Sequence, residues 1–457
     1  MMRLFRHYVP ARVLGLLASD LSVILIAVTA SADTSGWAGE GPTWLKAVTI
    51  AAIVVFSLHL GDLYRAEAHF GTRELIARVL VALGATAILA AAVGFGIPAL
   101  SFRRLSFLRI FALMAVALVI SRALWNRIGS FDGLRTKVVV LGVSRAAPVI
   151  VKLQSAGSQP FMVLGFLDDA PGVHDKLPPG YELLGKSKDL LNIADELQPN
   201  LVLVSLPNMR GAFPADDLLQ CRLRGIRVED WPTFYEKQTG KILVSGLRPS
   251  WLIFSDGFVK TNLTQTFKRV TDVILAVVGL VLSLPMMGLV ALAIKATSKG
   301  PVLFRQERVG QGGRIFVVYK FRSMLVDAER HSGAVWASPD DPRVTRFGRI
   351  LRRLRLDEWP QLINVLKGDM SFVGPRPERP EFVRILQRQI PFYMERLSVK
   401  PGITGWAQVR HQYSASVEDA VEKLQYDLYY IKNLSPFLDL LILLSTIQVV
   451  LFARGSR

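Results

Sequence analysis

Cysteine is almost missing from this chain of 457 residues: Cys221 stands alone. No internal disulfide can form and no site built on several thiolates is available, so a reducing compartment is permitted. Acidic residues are also short, with 37 Asp and Glu against 55 Lys and Arg and a formal charge of +18. A strongly basic chain invites a nucleic-acid reading. Here, however, the basic residues flank apolar runs and crowd one short region instead of forming a separate basic domain, which argues against nucleic acid as a partner. A secretory leader is not indicated either. The basic, then apolar N-terminus shows no clear small-residue cleavage site before Trp37, so it reads as a retained anchor.

What is plentiful is apolar sequence, 51% of residues. Four apolar segments fill the first third, at Val13–Ala32, Leu45–Leu63, Leu75–Leu100 and Leu105–Gly129. Each is close to or above the roughly 20 residues a helix needs to cross hydrocarbon. Arg3, Arg6, His7 and Arg12 precede the first segment, Arg65, Arg73 and Arg78 separate the second and third, and Arg122, Arg127, Arg135 and Lys137 follow the fourth. The loop after the first segment carries Asp33 and Glu40 instead. Positive charge collects on the cytoplasmic side, so the N-terminus and everything after the fourth segment are expected in the cytosol. Arg103 and Arg104 point the other way. Residues 1–133 are therefore expected to form a membrane α-helical bundle.

From about Thr136 the texture changes. Lys137–Gly142, Phe161–Leu167, Leu201–Leu206 and Ile226–Val228 are strand-like, with helix-compatible stretches such as Ala146–Ser155 and Lys188–Leu197 between them. Alternation of this kind predicts an α/β, Rossmann-like middle domain over residues 134–255. The loop Gly142-Val-Ser144-Arg-Ala-Ala147 keeps only the first glycine of the dinucleotide fingerprint. The second glycine normally lets backbone approach a pyrophosphate, so its loss weakens a cofactor reading. Asp168 and Asp169 fit ribose-binding acids or a strand-ending turn. No Tyr-x-x-x-Lys pair near this loop supports a sugar oxidoreductase or epimerase.

A fifth apolar segment, about residues 268–297, has Ser283 and Pro285 near its middle and basic charge at both ends. A proline there removes one helical hydrogen bond and crowds the preceding turn. A kinked crossing and a broken helix that enters one leaflet and returns both fit. Only the second keeps all later residues in the cytosol.

The chemistry-bearing residues follow. Gly310–Gly313 separates two strand-like runs and predicts a β-hairpin, with Lys320 and Arg322 projecting from one face of its second strand. Phe347, Ile350, Leu351 and Leu354 recur at helical spacing, so a helix is expected to bury that face, with Arg346, Arg349, Arg352, Arg353 and Arg355 decorating the rest. Then comes Leu356-Asp-Glu-Trp-Pro-Gln-Leu362, in which Pro360 is tolerated only in a first turn and Asp357 falls at or near an N-cap. An ordinary cap there is worth about 1 kcal/mol. The same position also suits an ionised, nucleophilic carboxylate beside anion-accepting N–H groups. Repulsion between carboxylate and phosphate calls for arginines and Mg²⁺. In Gly374-Pro375-Arg376-Pro377 two prolines restrict where one guanidinium points, as a phosphate clamp requires. The apolar run Pro436–Phe452 fits an interfacial helix or domain core.

Taken together, Lys268-Arg-x-x-Asp272, the segment around Pro285, Gln306-Glu-Arg-x-Gly310, Tyr319-Lys-Phe-Arg-Ser-Met324, Leu356–Leu362, Gly374–Pro377 and Lys400-Pro-Gly-Ile-Thr-Gly-Trp406 resemble the polyprenyl-phosphate hexose-1-phosphate transferases of bacteria. The four spans and middle domain are similar to the long form of that family, which initiates exopolysaccharide or O-antigen repeat units. The resemblance implies an α+β, membrane-associated catalytic domain over residues 262–457 with a re-entrant helix. It implies an enzyme that moves a hexose-1-phosphate from a UDP-sugar to undecaprenyl phosphate, releasing UMP through a phosphosugar carried on Asp357. By matching position Asp357 also binds Mg²⁺, and Glu358 serves in proton transfer, metal support or alignment. Arg352 and Arg376 match phosphate-binding arginines, joined by Lys320, Arg322, Pro375 and Pro377. Lys268, Asp272 and Pro285 match residues that anchor the membrane helix. Arg355 departs from the usual Ser or Thr, and Lys400 from the usual Arg. The expected setting is the bacterial inner membrane and its lipids, multi-pass, with the catalytic domain on the cytosolic face. A homo-oligomer is compatible with the sequence, and a non-catalytic scaffold of polysaccharide assembly is the competing role.

Overall fold

The computed structural model describes residues 2–4, 7–32, 42–64, 70–102, 104–129, 135–143, 146–155, 161–173, 176–206, 213–245, 247, 249–326, 341–411 and 416–451. Ser144 of the fingerprint loop, and the loop charges Asp33, Glu40, Arg65 and Arg103, lie outside them. The chain divides into two compact units: residues 8–238 with residues 1–2, and residues 239–457 with residues 3–7.

In the first unit, four apolar helices run over Ala11–Ala32, Thr43–Leu60, Thr72–Gly96 and Arg104–Gly129. The second is the shortest, closing at a Gly61–Tyr64 turn, and its apolar stretch falls just short of the other three. Their shared core is aliphatic, with Val54, Leu58, Val79, Ile110, Met114 and Leu118 fully buried. Outward positions such as Ile26, Val81, Ile88 and Val116 are exposed, the pattern expected of a bundle solvated by lipid. Among these apolar residues Arg122 donates to Asp20 at 2.6 Å, and the Tyr64 hydroxyl donates to the same oxygen at 2.6 Å. Charges inside such a bundle are tolerated because they are paired.

The middle of the chain forms five parallel strands: β1 (Thr136–Leu141), β2 (Phe161–Leu167), β3 (Leu183–Gly185), β4 (Leu201–Val204) and β5 (Arg227–Asp230). Their order is β3-β2-β1-β4-β5, the first five strands of the doubly wound, Rossmann-like order. The near-continuous Val and Leu of β1 and β4 are buried, as strands covered on both faces must be. Asp168 accepts from Val143 N (2.5 Å) and Ala170 N (2.9 Å), and Asp169 from Ser187 N (3.1 Å). Both acids are thus engaged in holding strand-end loops.

The second unit is built on a helix of 36 residues, Asn262–Thr297. Its backbone is helical throughout, so the break expected at Ser283–Pro285 is absent at the level of secondary structure. A single proline deletes one rung of the hydrogen-bond ladder, and the helix continues past it. An antiparallel hairpin (Leu303–Val309 with Ile315–Phe321) and a two-stranded parallel sheet (Ser371–Val373 with Gly402–Thr404) pack beside it. The helices Val417–Lys432 and Pro436–Leu451 complete the unit. Tyr429, Tyr430, Leu438 and Ile442 join its core, while Leu440, Ile447 and Val450 are exposed, so the last helix has one face in the core and one outside.

Candidate active site

The arginine-rich helix is Arg346–Arg353. Only half of the expected face is buried: Phe347 packs beside Leu351. Leu351 is buried, but Ile350 and Leu354 are each 53% exposed. Gly348 sets this facing: a Cβ there would lie 2.0 Å from the Ser323 carbonyl oxygen, so the helix rests on its glycine and turns Ile350 outward. The helix closes at Leu354, and Arg355 follows as a non-glycine residue at φ 59°. Such a conformation costs of order 1 kcal/mol and is held by its surroundings. It redirects the chain into a 3₁₀ turn, Leu356–Glu358, ahead of the next helix, Gln361–Lys367. Pro360, not Asp357, occupies the cap position of that helix, and no side chain caps it. The expected Asp357 cap is therefore corrected: the left-handed Arg355 lodges the acid pair one turn earlier.

Both acids are buried, Asp357 at 8% and Glu358 at 9% exposure. Glu358 Oε1 accepts from Arg376 at 2.6 Å and Lys320 at 3.0 Å. Burial opposes its ionisation, but the Arg376 guanidinium and Lys320 ammonium prevail and hold the carboxyl well below the usual range. Asp357 is shifted the other way, by burial and then by the neighbouring Glu358 charge; Lys320, Arg352 and Arg376 oppose the rise only in part. Among the described residues no donor is hydrogen-bonded to its carboxylate. Two adjacent acids therefore have opposite circumstances, one neutralised by cations and one left available.

The other expected residues separate by position. Arg352 Nε donates to Ser323 Oγ (2.9 Å) while its charge bears on Asp357. Arg322 does not share the task of Lys320: it donates to Ser298 O (2.9 Å) and Oγ (2.7 Å), at the end of the long helix. Pro375 and Pro377 expose only carbonyls, which accept from Gly402 N (2.9 Å) and Arg308 NH1 (3.0 Å). Gly374 is required because a Cβ would meet the Lys400 carbonyl oxygen at 2.4 Å. Lys268 donates to Asp439 (2.8 Å) and the Tyr430 hydroxyl (3.0 Å). Asp272 accepts from Ser371 Oγ (3.0 Å) and Phe372 N (2.9 Å). Pro285 lies beside Ser283, whose hydroxyl donates to Leu280 O at 3.3 Å.

A cavity of about 670 Å³ opens on the Glu358 side of the pair. Glu358, Arg355 and Arg376 form part of its wall, with Arg396 and Asp427; Leu275, Val278 and Leu282 of the long helix and Val449 and Val450 of the last helix form an apolar part. Arg396 and Asp427 were not singled out from sequence. The usable signal was a lone acid inside the run Leu424–Ile431, which is otherwise apolar and aromatic but for Gln425.

No group of three or more metal-ligating side chains occurs among the described residues. Mg²⁺ does not need one: it is commonly held by one or two carboxylates, substrate phosphates and water. With Glu358 engaged by two cations, Asp357 is the free oxygen donor, and that set fits a Mg²⁺ shared with a phosphate-bearing substrate.

A family model described as bacterial sugar transferase matches residues 263–453, and one described as CoA-binding domain matches residues 59–212. The chain is 45% identical over 240 residues to a UDP-N-acetylgalactosamine-undecaprenyl-phosphate N-acetylgalactosaminephosphotransferase of Aeromonas hydrophila, covering 52% of this chain and 56% of the relative. It is 35% identical over 331 residues to an undecaprenyl-phosphate glucose phosphotransferase of Komagataeibacter xylinus, covering 71% and 60%. A putative undecaprenyl-phosphate N-acetylgalactosaminyl 1-phosphate transferase of Bacillus subtilis is 53% identical over 138 residues, 30% of this chain and 76% of that one. The chain thus spans little more than half the length of the first two relatives.

Proposed function

This chain belongs to the bacterial sugar transferase family, and from that premise we propose that it transfers a hexose-1-phosphate from a UDP-sugar to undecaprenyl phosphate. The observation that carries the reading is the split acid pair: Glu358 clamped by Arg376 and Lys320, beside a buried Asp357 with no hydrogen-bonded donor among the described residues.

In the proposed reaction an Asp357 carboxylate oxygen attacks the β-phosphorus of the donor. An O–P bond forms, the bond from that phosphorus to the bridging oxygen breaks, and UMP leaves with the electron pair. The sugar phosphate is now carried on Asp357 as an acyl phosphate. A phosphate oxygen of the lipid then attacks the same phosphorus, and Asp357 departs as a carboxylate, so charge and protons balance over both steps. Burial favours this role, since a poorly solvated carboxylate is a stronger nucleophile. Glu358 fixes Arg376 and Lys320 where the transferring phosphoryl charge develops. Asp357 would hold Mg²⁺, which supplies charge neutralisation between carboxylate and phosphate when bound.

The chain is a membrane protein, and we place the site on the cytosolic face of the inner membrane, where arginine-rich flanks and nucleotide-activated donors both belong. For the long helix we favour a re-entrant path. Straight, its 36 residues would reach about 54 Å, well beyond the hydrocarbon core. Both of its arms pack on one domain: Ala276 joins Val318, Val365 and Met370, while Val290 and Ile294 join Phe321 and Leu351. Pro285 lies between these arms. Lys268 and Asp272 are read as anchors of the first arm.

Purified full-length protein given a panel of labelled UDP-sugars with undecaprenyl phosphate tests the function. UMP and a labelled lipid are expected from at least one donor. Failure with every UDP-sugar under conditions where the chain is folded would refute it.

A further inference from the structure

The loop Gly374–Pro377 carries Arg376, yet it has little means of holding itself in place. Its two prolines have no N–H, so carbonyl oxygens are its main handles. Three of them, and the carbonyl of the residue that follows, are taken from outside. Pro375 O accepts from Gly402 N at 2.9 Å, Pro377 O from Arg308 NH1 at 3.0 Å, and Glu378 O from Val309 N at 2.9 Å. The fourth, Arg376 O itself, accepts from Arg396 NH2 at 3.0 Å.

Three of these donors belong to other elements that hold the loop at its edges. Arg396 is different, because a guanidinium is buried to reach one carbonyl: the residue is 5% exposed. Burying a charge is costly unless it is paired and hydrogen-bonded. Here the cost is met fully. Asp427 Oδ2 accepts from Nε at 3.0 Å and lies 2.9 Å from NH2, and the Tyr393 hydroxyl accepts from NH1 at 2.8 Å. Asp427 is itself 2% exposed. A neutral donor would satisfy Arg376 O as well. A planar fork locked at three corners adds a fixed direction, which a flexible or hydrated group does not.

Resting on the transferase reading, we propose that Arg396, set by Asp427 and Tyr393, is a positioning residue for Arg376. It fixes the carbonyl of the residue whose guanidinium, on the other side of the same Cα, grips Glu358 Oε1 at 2.6 Å. Arg396 therefore acts on the first chemical step through Arg376.

The test is a double-mutant cycle on the full-length protein, read as the single-turnover rate of UMP release without lipid. Arg396→Lys retains the charge and loses the fork, and should slow this step about 30-fold, as a small misplacement of a catalytic group does. In an Arg376→Ala background the same change should cost less than about threefold, because there is no guanidinium left to position. Equal losses in both backgrounds would overturn the proposal, since a merely structural role predicts additivity. If Arg396→Lys does not fold, Tyr393→Phe removes one corner only, and the same loss with and without Arg376 would again overturn it. A wild-type protein that releases no UMP from any UDP-sugar would fail the transferase reading instead; normal wild-type turnover with an additive cycle would fail only this inference.

Discussion

Replacing Asp272 with Ala should loosen the long helix from the sheet it rests on. The carboxylate is 5% exposed, and its Oδ1 accepts both from Phe372 N (2.9 Å) and from the Ser371 hydroxyl (3.0 Å). Ser371 is completely buried. Losing the acceptor strands the Phe372 N–H, while the Ser371 hydroxyl can rotate towards another acceptor. Counting one bond to a charged group in full and one in part gives about 3 kcal/mol. For a unit of this size that corresponds to about 9 °C. The temperature of half-inactivation of UMP release reads the unit that contains the site. Asp272→Asn keeps an oxygen acceptor and should recover most of the difference. A shift below about 2 °C in Asp272→Ala, against that 9 °C expectation, would refute the claim that this carboxylate joins helix to strand.

Three further outcomes are expected. Burial, and then the Arg410 guanidinium, push the His7 imidazole down from 6.5 to about 4. The unfolded chain therefore takes up this proton first, and stability present above pH 6.5 is lost as pH falls, by about 2 kcal/mol at pH 5; half-inactivation temperatures should drop more steeply between pH 7 and 5 in wild type than in His7→Gln. The two ends of the long helix should share one side of the membrane, so Thr266→Cys and Lys299→Cys should both resist an impermeant maleimide in intact spheroplasts and both react after lysis; labelling of only one before lysis would show a crossing. Chelation of divalent cations should abolish UMP release and added Mg²⁺ restore it, with the folded state unchanged by far-ultraviolet circular dichroism.

Local features were readable where physics is local. The lengths of the apolar runs yielded the four N-terminal helices, and alternation of strand and helix yielded the parallel sheet, although Leu183–Gly185 was too short to register. What the order of residues conceals is contact across distance. Lys268 meets Asp439 and Asp272 meets Ser371, some 171 and 99 positions away, and no periodicity links them. Helical spacing put Ile350 and Leu354 inside because it took no account of Gly348 pressing against Ser323. Likewise Lys320 and Arg322 were expected on one face of a strand, but that strand ends at Phe321: Lys320, within it, finds Glu358, and Arg322, just past its end, finds Ser298 at the end of the long helix. Arg396 was hidden among many arginines whose roles only their partners distinguish.

The central claim is that Asp357 carries the sugar phosphate. Protein incubated with UDP-sugar labelled in the β-phosphate, without lipid, and then digested for mass spectrometry should show one phosphosugar on the peptide containing Asp357. That label should be discharged by undecaprenyl phosphate and be absent in Asp357→Asn. Transfer to lipid at the normal rate with no adduct at any time, or full activity in Asp357→Asn, would contradict it.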